Sequence, residues 1–148
     1  MAGLEFDQIN IVVPNVADAA QFLRDLGAEV PEITGEWSDW ADHHIAVPVK
    51  TAGFDADIDS PAFAAWWGGL SSDFVGVVVN LRTEDREAVD ATCDRARELG
   101  AEVLRAPFDA FWGSRFAVVI GPGPLAVGIM SPADPERRTD PPSVSDFA

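Results

Sequence analysis

The sequence RDLGAEV at residues 24–30 recurs almost unchanged as RELGAEV at residues 97–103, and this repeat is the strongest indication of the fold. A second, shorter repeat supports it, because IDSP at residues 58–61 is repeated as IMSP at residues 129–132. Each copy of the first stretch ends an amphipathic segment and places a glycine where a helix would stop. The repeat predicts two similar supersecondary modules that face each other, with a ligand cleft between them.

Each module is predicted to consist of a strand, a helix and three further strands, in that order. In the first module the predicted strands are 4–13, 28–33, 43–49 and 54–59, and the helix starts near Val16 and ends before Gly27. In the second module the strands are 74–81, 101–104, 114–120 and 125–130, and the helix spans about 85–99. The predicted fold class is therefore α+β, with two βαβββ modules that form half-barrels around a central cleft.

The predicted domain boundaries follow from this order of elements. They are 1–61 for the first module, 62–73 for a linker with a short helix, 74–132 for the second module and 133–148 for a flexible C-terminal tail. The tail is rich in Pro, Asp and Ser, which is typical of segments that do not build a core.

Composition narrows the function classes. The chain has 148 residues and a net charge of −15. Nucleic-acid binding requires clustered Lys and Arg, and in this sequence only Arg137 and Arg138 stand together, so nucleic acid is not an expected partner. No apolar run reaches the length of a membrane span, and residues 1–7 lack the features of a signal peptide, so we expect a cytoplasmic protein. The single cysteine, Cys93, lies on a helical pattern and is expected in the core. An acidic surface would attract cationic ligands.

Two adjacent histidines, His43 and His44, are the candidates for proton transfer. Adjacent strand residues point to opposite faces, so only one of them can enter the cleft. The repeat aligns HIAV at 44–47 with RFAV at 115–118, which predicts that His44 and Arg115 project to the same relative face and could hold an anionic or carbonyl oxygen. The alternative is that Arg115 pairs with a carboxylate such as Asp109 and that His44 is structural.

Aromatic and acidic residues supply the other candidates. The chain has five Trp and no Tyr, and several of these Trp fall in predicted loops or at strand edges, where they could stack on planar or cationic ligands. Asp55, Asp57 and Asp59 alternate along one strand and share a face, which suits a cation if that face lines the cleft.

Three stretches carry a resemblance to a known family. They are FDQINIVV at 6–13, FLRDLG at 22–27 and FDAFWGSRFAV at 108–118. With them the chain resembles the vicinal oxygen chelate superfamily, which includes glyoxalase I, extradiol dioxygenases and bleomycin-resistance proteins. The resemblance covers about residues 4–132 and implies the glyoxalase-like arrangement of two modules.

The resemblance also implies where metal ligands would lie in such enzymes, on the first and last strands of each module. Carried onto this chain, those positions are Gln8, Asp57, Gly128 and a residue near Gly76, so two of the four have no donor side chain. Catalytic metal sites need about three protein ligands. We therefore expect neither a metal nor another cofactor.

The sequence predicts a metal-free protein that binds a small planar or cationic molecule, similar to the drug-sequestering branch of the superfamily, and forms a homodimer. The predicted ligand-binding residues are Gln8, Trp37, Trp40, His44, Asp57, Trp66, Phe108, Phe111, Trp112 and Arg115. The alternative is a lyase, isomerase or dioxygenase of the superfamily that uses a divalent metal or acid/base chemistry of His43 or His44. A third alternative is a scaffold that acts through a protein partner.

Overall fold

A computed structural model describes residues 3–50 and 52–147 and contains both strands and helices over this part of the chain. In chain order the elements are β1 (Glu5–Val12), α1 (Val16–Asp25), β2 (His44–Val47), β3 (Asp55–Asp59), α2 (Pro61–Gly68), β4 (Gly76–Arg82), α3 (Arg86–Glu98), β5 (Glu102–Asp109), β6 (Arg115–Ile120) and β7 (Ala126–Met130). Short 3₁₀ helices span Gly35–Trp40, Pro135–Arg137 and Val144–Asp146. The predicted α+β class is confirmed, and α2 lies where the linker helix was expected.

The chain divides into two compact units. The first unit comprises Gln8–Val77 with Ser143–Ala148, and the second comprises Met1–Asp7 with Val78–Pro142. The half-barrel arrangement and the module boundaries at 61 and 74 stay predictions. Over the described residues, no helix has the length and apolar character needed to cross a membrane.

In the first unit the strands follow the order β2, β3, β1, with β3 parallel to β1 and antiparallel to β2. Helix α1 begins after Asn15, whose side chain accepts a hydrogen bond from the backbone N–H of Asp18 at 2.9 Å. Its Val16 and Ala20 are buried against one face of the sheet. That face therefore belongs to the core, and the opposite face is available for other chemistry.

The prediction of a strand at 28–33 is wrong, since residues 28–34 have no regular secondary structure in the structure. The Arg24 side chain donates hydrogen bonds to the carbonyl oxygens of Val30 and Pro31, at 2.8 and 2.7 Å. Those carbonyls are therefore occupied, and Pro31 has no N–H to give to a neighbouring strand. Val30 is still buried in the core of the unit.

In the second unit the strands follow the order β4, β7, β6, β5, and only the β4–β7 pair is parallel among the described pairings of this unit. Helix α3 buries Val89 and Cys93 against β6 and β7, so the expected core position of Cys93 is confirmed. Strand β5 is longer than the predicted 101–104. It continues past Pro107 because register shifts interrupt its pairing with β6, and proline is tolerated at such irregularities.

Hydrogen bonds at the strand ends fix how the two copies correspond. The N–H of Val13 donates to the carbonyl of Asp59, and the N–H of Thr83 donates to the carbonyl of Met130. Residues of β1 therefore correspond to residues 70 positions later in β4, and residues of β3 to residues 71 positions later in β7.

This register corrects the predicted alignment of His44 with Arg115. Ser60 donates its N–H to the carbonyl of His43, and Ser131 donates its N–H to the carbonyl of Arg115. Arg115 thus corresponds to His43. The alignment based on the sequence repeat was therefore offset by one residue in these strands. An offset of one residue moves a side chain to the opposite face of a sheet.

The predicted flexible tail at 133–148 is held by backbone bonds over much of its described part. The N–H of Asp134 donates to the carbonyl of Gly113 at 3.1 Å, and that of Thr139 donates to the carbonyl of Phe111 at 3.0 Å. Gly113 is required for this contact, because its φ is +98° and a Cβ there would lie 2.4 Å from the Asp134 carbonyl oxygen. Glycine thus allows the close approach of the tail to residue 113, and the flexibility of the tail stays a prediction.

Candidate ligand-binding face

Five polar side chains of the first unit lie on the sheet face opposite α1. They alternate with core residues along their strands: Ile45 and Ile58 pack against α1, so their neighbours in β2 and β3 face the other way. We call this set the polar cluster: Gln8, Asn10, His44, Asp57 and Asp59. His44, rather than His43, is therefore the histidine on the carboxylate face.

Short hydrogen bonds connect the polar cluster. The Gln8 Nε2 donates to Asp57 Oδ2 at 2.7 Å, and the Asn10 Nδ2 donates to Asp59 Oδ2 at 2.7 Å. The His44 Nδ1 lies 2.6 Å from Asp59 Oδ1. Asp59 has no exposed surface, whereas 35% of the His44 side chain is exposed. Asp59 is thus a buried carboxylate with two partners, which orient it and hold His44 in place.

The pKa values of the two titrating groups differ from their ordinary values. Burial raises the pKa of Asp57 to about 7, and the charges of Asp59 and Asp55 act in the same direction, while His44 opposes them. Burial lowers the pKa of His44, but the hydrogen bond and charge of Asp59, with a contribution from Asp57, outweigh it, so that this pKa is raised. His44 therefore keeps its proton to a higher pH than an ordinary histidine, and Asp57 exchanges its proton near neutral pH.

A group of rings borders the polar cluster in the same unit. We call it the aromatic cluster: Trp40, His43, Phe63, Trp66 and Phe147. The Phe63 ring lies 5.1 Å from Trp40 edge to face and stacks on Trp66 at 6.0 Å, measured between ring centroids. The His44 ring lies 5.6 Å from Phe63, so His44 contacts both clusters. Ser60 positions this corner, because it caps α2 through the N–H of Phe63 and bonds His43 Nδ1 at 2.9 Å.

The structure brings some predicted ligand residues together and separates others. Gln8, His44 and Asp57 lie in the polar cluster, and Trp40 and Trp66 lie in the aromatic cluster beside it. Trp37 belongs to the same unit but is half exposed on a 3₁₀ helix. The remaining predicted residues, Phe108, Phe111, Trp112 and Arg115, lie in the second unit.

In the second unit these residues make contacts of their own. Trp112 donates its indole N–H to the sulfur of Met130 at 3.3 Å, and its ring lies 5.5 Å from Phe116. The Arg115 guanidinium forms two 2.9 Å hydrogen bonds to Asp90 on α3, and it also contacts Asp109. These carboxylates and their hydrogen bonds raise the pKa of Arg115. The geometry of Arg115 matches the ion-pair alternative rather than a pair with His44.

Sequence reasoning missed Asn10, Asp59 as a partner of His44, Phe63 and Phe147. The position of Asn10, two residues after Gln8 on one strand, could have indicated it, because such residues share a face. No local pattern connects Phe147 to ring residues that lie 81 to 107 positions earlier.

The four metal positions that the resemblance implied do not fit a metal. The strand register shows that the counterpart of Gln8 is Val78, rather than a residue near Gly76, and that the counterpart of Asp57 is Gly128. A Cβ on Gly128 would lie 1.9 Å from the Asn80 Oδ1, so a carboxylate has no space there. Within residues 3–50 and 52–147, no three His, Cys, Asp or Glu side chains are grouped so that they could hold a metal ion.

The model of the Glyoxalase/Bleomycin resistance protein/Dioxygenase superfamily matches residues 5–137. The chain belongs to this superfamily. The resemblance to this family and the glyoxalase-like fold class are therefore confirmed. A comparison with curated proteins found no significant match.

Several solved structures resemble the chain at low sequence identity. A Streptomyces coelicolor methylmalonyl-CoA epimerase in complex with 2-nitronate-propionyl-CoA is 21% identical with a TM-score of 0.54, over 88% of this chain and 96% of that one. An extradiol ring-cleaving dioxygenase from B. fuscum is 17% identical with a TM-score of 0.57, over 91% of this chain and 37% of that one. A Legionella pneumophila structure described as an NAD-dependent benzaldehyde dehydrogenase is 14% identical with a TM-score of 0.58, over 84% and 96%. At these identities the similarity establishes the fold alone.

Proposed function

We propose that this superfamily member binds a small organic cation with an aromatic ring, and that it does so without a metal. The observation that carries the proposal is the position of His44, which contacts the buried carboxylate Asp59 at 2.6 Å and the Phe63 ring at 5.6 Å. Carboxylates and aromatic rings are the two groups that bind organic cations, and here they adjoin within one unit.

Asp57 is the proposed partner of the cationic group. The His44–Asp59 pair is neutral overall when His44 is protonated, so the remaining negative charge of the polar cluster is that of ionised Asp57. Gln8 donates to one oxygen of Asp57 and orients it. A cation beside Asp57 favours its ionised form, so binding and proton release are linked. The net charge of −15 adds long-range attraction for cations.

The test is a titration of the full chain with benzyltrimethylammonium, followed by calorimetry and by tryptophan fluorescence, with and without a chelator. We expect affinity to rise about tenfold per pH unit up to about pH 7 and then to level off, because Asp57 must lose its proton. The chelator should change nothing.

Two variants make the titration specific. Asp57→Asn should abolish the pH dependence and weaken binding, whereas Asp55→Asn, at an exposed position on the same strand, should leave the pH dependence in place. Binding that requires added metal, or that is unaffected by Asp57→Asn, would exclude this proposal.

A second candidate is an isomerase that transfers a proton, and the raised pKa of Asp57 favours it. A general base works best when its pKa is near the working pH. Methylmalonyl-CoA epimerases are among the similar structures. In this reading Asp57 removes a proton from a carbon beside a carbonyl group and returns it, and His44 donates a hydrogen bond to the carbonyl oxygen. Exchange of that hydrogen with solvent deuterium, lost in Asp57→Asn, would support this candidate.

The homodimer and the cytoplasmic location are part of the same proposal. Sedimentation of the purified chain over a range of concentrations tests the dimer, and a mass of one chain at all concentrations would contradict it.

A further inference from the structure

Phe147 inserts its ring into the aromatic cluster. The centroid of its ring lies 5.0 Å from that of His43, 5.2 Å from Phe63 and 5.4 Å from Trp40. Trp66 lies at 6.3 Å. These separations and the tilted or edge-to-face orientations are those with which proteins recognise an aromatic ring. Four rings of the first unit thus surround a fifth that comes from a distant part of the sequence.

The segment that carries Phe147 is short and mostly exposed. The N–H of Ser143 donates to the Asp146 carboxylate at 2.9 Å, and the N–H of Phe147 donates to the carbonyl of Val144 at 3.2 Å. These bonds shape the segment from within. The ring of Phe147 contacts the aromatic cluster, and releasing that ring would leave the hydrogen bonds within the segment in place.

We propose that the space among Trp40, His43, Phe63 and Trp66 is a subsite for the aromatic ring of a ligand, and that Phe147 occupies it in the free protein as an internal competitor. The inference rests on the proposed function, because the same rings border the polar cluster. A ligand ring that enters the subsite displaces Phe147, and the cationic group of the same ligand reaches Asp57.

The covalent connection makes this competition effective. Phe147 belongs to the same chain as the rings that it contacts, so its ring acts on them at an effective concentration of about millimolar order. If the subsite is closed in about nine molecules of ten, the apparent affinity for a free ring falls about tenfold. Removing the Phe147 ring should therefore raise the apparent affinity about tenfold.

The experiment compares the full chain with Phe147→Ala and with Val144→Ala, a control in the same segment. The probes are benzyl alcohol, which is neutral, and benzyltrimethylammonium, and binding is measured by calorimetry. Phe147→Ala should bind both probes about tenfold or more tightly than the unchanged chain, and Val144→Ala should bind both as the unchanged chain does. Equal affinities in the chain and in Phe147→Ala would overturn the subsite.

A second measurement does not depend on the variant folding. Benzyl alcohol added to the unchanged chain should shift the backbone NMR signals of residues 143–147 towards those of a free segment. Signals that stay in place at saturation would refute the competition. The proposed function is judged separately by Asp57→Asn: if that variant still binds benzyltrimethylammonium normally while Phe147→Ala gains affinity for both probes, the subsite stands and the cation proposal fails.

Discussion

Replacing Asp57 by Asn should make the protein more stable at neutral and higher pH. Burial raises the pKa of this carboxyl from 3.8 to about 7, so the folded protein holds the proton more tightly than the unfolded chain does. Above pH 3.8 the unfolded chain gives up the proton that the folded protein still binds. Stability therefore falls as pH rises through this interval and is lowest, by this contribution, above pH 7.

The magnitude follows from the size of the pKa difference. Each pKa unit is worth about 1.4 kcal/mol, so the interval sets an upper limit of about 4 kcal/mol on the loss. Partial exposure of Asp57 and its attraction to His44 reduce this, and we expect a gain of about 1–3 kcal/mol for Asp57→Asn at pH 8. The amide oxygen of the new Asn can still accept the hydrogen bond from Gln8, which the aspartate accepts at 2.7 Å.

Urea unfolding followed by circular dichroism at several pH values measures the effect. At pH 8 the variant should be more stable by the stated amount, which corresponds to about 2–4 °C in Tm per kcal/mol. At pH 4 the two proteins should differ little, because Asp57 is then neutral in the folded protein and pH 4 is close to the ordinary carboxyl pKa of 3.8. Asp55→Asn, at an exposed site, should change stability by less than about 0.5 kcal/mol at either pH. If Asp57→Asn is less stable than the unchanged chain at pH 8, or is stabilised equally at pH 4, then burial of the Asp57 carboxyl does not cost stability.

Three further outcomes are expected. Gly128→Ala should destabilise the protein by about 1–3 kcal/mol in thermal unfolding, because the added Cβ would lie 1.9 Å from the Asn80 Oδ1. In an NMR titration the His44 ring should show a pKa above its ordinary value of 6.5, and Asp59→Asn should lower it by removing the negative charge beside the protonated ring; the stability that His44 adds is therefore present below pH 6.5 and lost as pH rises through the folded pKa. Arg115→Gln should cost about 1 kcal/mol in urea unfolding and leave cation binding unchanged, since its carboxylate partners are in the second unit.

Local patterns predicted most of the elements but not all of their contacts. Asn15 and the glycine after each helix marked α1 and α3 correctly, because caps act within a few residues. The prediction of a strand at 28–33 was wrong. The Arg24 side chain donates hydrogen bonds to the carbonyls of Val30 and Pro31, and strand propensity takes no account of such a contact.

For the candidate site, the sequence predicted the shared face of the acidic strand residues from alternation alone. It selected His44 as a ligand-binding residue but paired it with Arg115 rather than with Asp59, because the alignment of the two copies was offset by one residue. Register depends on hydrogen bonds across strands, such as the bond from Ser60 to the carbonyl of His43, and these are not visible in a single sequence. The approach of Phe147 to Phe63 is equally non-local.

The duplicated fold supplies an internal comparison for the polar cluster. The strand registers give the counterpart of each of its residues in the second unit, and four of the five counterparts are apolar residues or glycine. The pairs are Gln8 with Val78, His44 with Phe116, Asp57 with Gly128 and Asp59 with Met130; Asn10 alone keeps its type, as Asn80. The second unit therefore builds the same strand pairings without these polar side chains, so the fold as such does not require them. A carboxylate whose burial costs stability, in a position where the fold accepts glycine, is better explained by a ligand than by packing.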